Sequence, residues 1–137
     1  MRNKDPRFIN KESVAVITLT DTSAQTWTAP ADSDGCYLEF INVVTSTDES
    51  SNSFEFQILD DTDTMVGHLG AYSVAANCGT VGTPPENIKT KMEYLDADGS
   101  GNYILTIPAG YKLQVTAGSS PGSDVYITIG YGRYNAD

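Results

Sequence analysis

The stretch SFEFQIL, residues 53–59, sets the reading of the whole chain. Phe54, Phe56 and Ile58 alternate with Glu55 and Gln57, a period of two that a half-buried β-strand requires and an α-helix does not produce. The acidic run Asp60-Asp61-Thr62-Asp63 follows as a turn, and residues 64–69 read as a short returning strand. Working outward, SVAVITLT (13–20) puts Val14, Val16 and Thr18 on one face and Ala15, Ile17 and Leu19 on the other. A short extended piece around Trp27 ends at Ala29-Pro30, and Asp32-Ser33-Asp34-Gly35 is a turn. CYLEFINVVTS (36–46) is a long strand with Leu38, Phe40 and Val43 or Val44 as core candidates, and a register shift is expected near Asn42.

Towards the C-terminus the pattern repeats. Residues 92–95 form a short strand, DADGSG (96–101) a turn, and NYILTI (102–107) a strand stopped by Pro108. Ala109-Gly110 makes a tight turn into YKLQVTA (111–117). GSSPGS (118–123) is a loop before the long final strand 124–134. Residues 70–91 are the least regular part, a long stretch of the kind that often binds something. No helix longer than two turns fits anywhere. About eight short strands separated by turns predict an all-β fold, an antiparallel two-sheet β-sandwich of jelly-roll type.

Composition limits the function. At 137 residues the chain fits one domain, with enough length to bury a core without disulfide staples. Eight Tyr and four Phe favour pleated strands. The net charge of −10 argues against nucleic acid as a partner, because phosphates call for clustered Lys and Arg. No apolar run reaches the ~18–20 residues of a membrane span. MRNKDPRFINKE lacks the apolar centre of a leader peptide, so synthesis in the cytosol and a soluble chain are expected. With Cys36 and Cys78 in no CxxC or Cys/His cluster, zinc is not expected, and two free thiols are.

The charge is unevenly placed. Arg2, Lys4, Arg7 and Lys11 against Asp5 and Glu12 leave residues 1–12 at +2, while 4 basic and 16 acidic groups bring residues 13–137 to −12. Pro6 and the lack of alternation set residues 1–12 apart as a basic arm, and residues 13–137 form the sandwich. The arm reads either as a poorly ordered terminus or as a segment that docks on an acidic partner through Arg2, Lys4, Arg7, Phe8, Ile9 and Lys11.

Catalytic chemistry has little to stand on in the sequence. His68 is the single histidine, with no acidic residue nearer in sequence than Asp63, and reads as a surface or partly packed side chain. Asp96, Asp98, Ser100 and Gly101 imitate the start of a calcium loop, but the twelfth position, where an acidic ligand belongs, is Ile107. No catalytic residue, metal or cofactor is therefore expected.

One set of motifs is more specific than composition. Trp27-Thr28-Ala29-Pro30, Ile107-Pro108-Ala109-Gly110-Tyr111-Lys112-Leu113 and residues 125–134, spread over 13–134, resemble the small β-sandwich structural proteins of tailed bacteriophages, capsid decoration (cement) proteins above all. The resemblance implies a non-enzymatic protein on the outside of a virion shell, bound to the major capsid protein and assembled as a homotrimer. The alternative from the same group is a carbohydrate- or receptor-binding module of a head fibre or tail. That module would use exposed aromatics, for which Tyr72, Tyr111, Tyr126, Tyr131 and Tyr134 are available.

Overall fold

A computed structural model describes residues 11–80, 82–92 and 105–134, with the side chains of residues 11 and 12 excepted. Nine strands account for nearly all of its regular structure. They are β1 (Lys11–Leu19), β2 (Gln25–Thr28), β3 (Cys36–Val44), β4 (Phe54–Leu59), β5 (Met65–Tyr72), β6 (Glu86–Asn87), β7 (Thr106–Ile107), β8 (Lys112–Ala117) and β9 (Val125–Arg133). Among the described residues a 3-10 turn spans Ile88–Lys91. One sheet runs β1-β9-β3-β6, with β7 also on β3, and the other runs β2-β8-β4-β5. Every strand pair is antiparallel. Successive strands mostly cross between the sheets, and among the described residues only β4–β5 is a hairpin of direct neighbours. That is the jelly-roll order expected from the sequence.

Alternating residues from both sheets fill the space between them. Ile17 and Leu19 of β1, Leu38, Ile41 and Val43 of β3, and Ile127 and Ile129 of β9 face Phe54 and Phe56 of β4 and Leu113 and Val115 of β8, all buried. Each such side chain contributes roughly 1.5–3 kcal/mol by leaving water. Trp27 lies against Tyr131 with ring centroids 4.8 Å apart and helps close one flank of the core.

Several local expectations shift. The irregularity of β3 falls at Glu39, between Leu38 and Phe40, not near Asn42. The extra residue reverses the alternation, so Leu38, Ile41 and Val43 point inward and Phe40 turns to the outer face. There its ring lies over Gly130, where an added Cβ would come within 2.0 Å of the ring. The carbonyl beside this bulge, that of Leu38, accepts a hydrogen bond from the buried Lys89 Nζ at 2.8 Å, and the ammonium stands 5.0 Å from the Tyr37 ring centroid. Ile58 keeps its inward place opposite Leu113 but is only half-buried, and Leu59, though buried, lies on the groove side of the sheet. Both β4–β5 register shifts fall on β5, at Leu69 and Val66, and leave the alternation of β4 unbroken.

The Pro108-Ala109-Gly110 turn does not close a hairpin. β7 pairs with β3 in one sheet and β8 belongs to the other, so the turn is an arch between layers. Gly110 takes φ +78°, which a side chain would resist. The N–H groups of Gly110 and Ala29 are satisfied reciprocally, Gly110 donating to the Ala29 carbonyl and Ala29 to that of Tyr111. The Trp-Thr-Ala-Pro and Pro-Ala-Gly motifs, far apart in sequence, thus meet at one corner.

The irregular stretch after β5 is largely structural. Val74, Cys78, Ile88 and Met92 enter the core, and Cys78 Sγ donates to the Val43 carbonyl at 3.3 Å. The strand expected at 92–95, most of that at 102–107, and the DADGSG turn lie outside the described residues apart from Met92 and 105–107.

Candidate interaction surfaces

Glu49, Asp48 and Asp60 are engaged in holding loops. Glu49 is buried, and its carboxylate accepts from the Thr47 hydroxyl at 2.6 Å, the Gly122 N–H at 2.9 Å and the Asn52 amide at 3.2 Å. Asn52 in turn donates to the Ser119 carbonyl and accepts from the Ser119 N–H, tying loop 47–52 to loop 118–122. Burial pushes the Glu49 carboxyl up, but the hydrogen bonds from Thr47, Gly122 and Asn52 together outweigh it, and the group sits below its ordinary value. Asp60 accepts from the N–H groups of Thr64 and Thr62 and from the Thr62 hydroxyl, which lowers its pKa and fixes the β4–β5 turn. Asp48 caps Ser50 in the same way. Turns, not a cleft, hold these carboxylates.

His68 stands on β5 with its Nε2 3.9 Å from Glu55 Oε1, both well exposed. Sequence distance hid this neighbour, which the β4–β5 ladder supplies. Cys36 and Cys78 are free thiols, both fully buried. Burial pushes the Cys36 thiol up, against an opposing hydrogen bond from Ser33. No group of three or more His, Cys, Asp or Glu side chains suited to a metal occurs among the described residues. Nor is any described helix long and apolar enough to cross a membrane.

Two outer faces remain. On the β2-β8-β4-β5 sheet an open groove of about 570 Å³ is lined by Thr26, Gln57, Asp63, Lys112 and Gln114 beside Leu59 and Met65. Its polar groups satisfy one another: Lys112 pairs with Asp63, and Gln114 donates to Gln57, which donates to Glu55. The tyrosines expected to form an aromatic platform are not gathered there. Tyr72, Tyr111 and Tyr131 pack against the core, and only Tyr126 is largely exposed.

The outer face of the other sheet has a different character. The register aligns three cross-strand rows: Val14–Gly130–Phe40, Val16–Thr128–Asn42 and Thr18–Tyr126–Val44. None of these residues is charged, in a chain of net charge −10. Val14 is 63% and Val16 57% exposed. Sequence reading placed Val14 and Val16 on one face of their strand; what it could not see was which face water would meet.

Of the arm residues singled out from sequence, Arg2, Lys4, Arg7, Phe8 and Ile9 lie outside the described residues. Lys11 does not belong to a separate arm. It opens β1 and pairs with Arg133 in the ladder, followed by Glu12 opposite Gly132, so the sheet begins two residues earlier than the boundary drawn after Glu12. Pattern reading lost these positions because a strand end next to polar residues shows no alternation.

No protein-family model matches this chain, and no curated protein matches it. Among solved structures it is similar to the core of Drosophila NLP, whose structure addresses pentamer formation and histone binding, at 14% identity and a TM-score of 0.46 over 92% of this chain and 100% of that one. It is also similar to the infectious bursal disease virus VP2 subviral particle, at 12% identity and a TM-score of 0.30 over 93% of this chain. T=1 particles derived from infectious bursal virus give 16% identity and a TM-score of 0.32 over 90% of this chain. The chain spans 39% and 31% of those two viral chains. At such identities the likeness concerns fold alone, and no functional argument rests on it.

Proposed function

We propose that this protein is a non-enzymatic virion structural protein that binds the outside of a phage capsid and stabilises the shell. The observation that carries the reading is the jelly-roll strand order with its interior filled by side chains, which leaves outer faces and edges to do the work. Jelly rolls recur in capsid and lectin domains, and the step from fold to role is one of analogy. The sequence motifs resembling decoration proteins supply the specific class, and their meeting at the Ala29–Gly110 corner makes them one structural unit. A strongly acidic body suits a protein held at high density on a surface without aggregating. The basic segment ahead of β1 supplies the complementary charge for an acidic shell.

The test is co-sedimentation of the purified protein with shells assembled from the major capsid protein of the same virus, at low and high salt. Saturable binding, weakened by removing residues 2–10, supports the reading. The deletion stops at Asn10 because Lys11 opens β1. Each exposed charge pair contributes only about 0–1 kcal/mol, so the deletion should weaken binding through several contacts at once. No binding at any salt concentration, or glycan binding in its place, would overturn it.

A further inference from the structure

The four sheet edges are not alike. β2 has four residues, and β6 and β7 two each. β5 is longer but its register shifts twice against β4. Short strands and bulges are the means by which proteins keep edges from pairing with other chains. β1 has neither. Its nine residues pair with β9 in unbroken register from Lys11 to Leu19, and among the described residues no strand covers its other side. Between Ser13 and Leu19 it contains no proline, glycine or charged residue. An edge of this kind presents a row of backbone donors and acceptors that another extended strand can satisfy in place of water.

We propose that β1 is the docking edge for β1 of a second copy of this chain, joined antiparallel about a two-fold axis at Ala15. In an antiparallel pair, directly opposed residues share a face. Centring on Ala15 sets Val14 opposite Val16 of the other copy, and Val16 opposite Val14. The four exposed valines then form one apolar cluster on the outer face, and the two five-stranded sheets become continuous. A slip of one residue between the strands would set the valines of one copy against the core-facing Ala15 and Ile17 of the other. The strand's sequence thus complements itself in the one arrangement that a two-fold contact demands. Between Ser13 and Leu19 no charged residue stands on the edge, so two acidic bodies meet there with no like charges directly opposed.

The edge is about 30 Å long, and one sheet thick, so it buries well under the ~800 Å² per partner of a stable complex. Association is accordingly weak in solution, with a Kd on the order of 100 µM, and grows where copies are crowded. Added salt strengthens it by screening the net charge, the opposite of its expected effect on binding through a basic arm.

The inference goes beyond the capsid reading and is tested without capsids. Sedimentation velocity of the full chain up to millimolar concentration should show a reversible monomer–dimer equilibrium. Val16→Lys should weaken it about tenfold or more, whereas Val66→Lys, on the bulged β5 edge, should leave it unchanged. Both positions are more than half exposed, so both variants should melt like the parent. Val14→Cys combined with Val16→Cys should crosslink copies under mild oxidation, while either alone should not. A monomer at every concentration, a dimer or trimer indifferent to Val16→Lys, or crosslinking by a single cysteine variant would overturn the proposal.

Discussion

Replacing Gly130 by alanine tests how the bulge in β3 organises the outer face. The backbone of Gly130 is ordinary strand, so on conformational grounds alone the change should stabilise by about 0.5–1 kcal/mol. The structure reverses the sign. A Cβ at Gly130 would lie 2.0, 2.4 and 2.5 Å from three carbons of the Phe40 ring. No side chain tolerates such contacts, so the ring must swing off the sheet or the strands must part. Either response costs about 1–3 kcal/mol, as overpacking generally does. For a domain of this size that lowers Tm by roughly 4–12 °C. Phe40→Ala provides the control. It sacrifices the ring's half-buried area, but on that background Gly130→Ala should become neutral or stabilising, giving a coupling of at least about 1 kcal/mol in a double-mutant cycle. Thermal and denaturant unfolding followed by circular dichroism and by the single tryptophan, Trp27, reads both. An equal loss on both backgrounds, or no loss in Gly130→Ala alone, would refute the placement of the Phe40 ring and with it the bulge at Glu39.

Glu49→Gln should destabilise the domain by about 1–3 kcal/mol at neutral pH, because three donors then face a neutral amide. The folded-state pKa of Glu49 lies below its ordinary value of 4.5, so its stabilisation is complete above that value and is lost as pH falls through the lowered one. The parent should therefore lose stability on acidification below about pH 4.5 more steeply than Glu49→Gln; equal slopes in urea titrations would contradict the staple. Thiol titration should find no reactive cysteine in the native protein and two under denaturant, since Cys36 and Cys78 are free and fully buried. Reaction of Cys78 in the native protein as fast as a small-peptide thiol would show that its loop does not close over the core.

Strand existence was legible wherever one face was buried and the other wet. Residues 53–59 and 111–117 show this, because burial on one side imposes period two on the sequence. The positions of bulges were not legible. A bulge changes phase by one residue, and CYLEFINVV reads equally well with Phe40 inward until Gly130 is seen beneath its ring. Connections were also hidden: Pro108-Ala109-Gly110 has the chemistry of a hairpin turn and serves as an arch between sheets, a choice made by the partners of β7 and β8 and not by the turn. Strands of two residues, such as β6, bury too little to leave a pattern. The exposed valines of β1 were visible as a face, but which side faced solvent depended on β9 and β2. Nothing in the sequence sets Glu49 apart from the other acids, and the approach of Gly122 from a distant loop reveals its role.

The most direct test of a role on the virion is electron cryomicroscopy of purified shells of the same virus after incubation with the protein. The account expects added density on the outer surface, in a fixed ratio to the major capsid protein and fitted by the two-sheet body, with the decorated shells surviving heating that ruptures bare ones. Shells that carry no added density, or that gain density without any gain in stability, would contradict it.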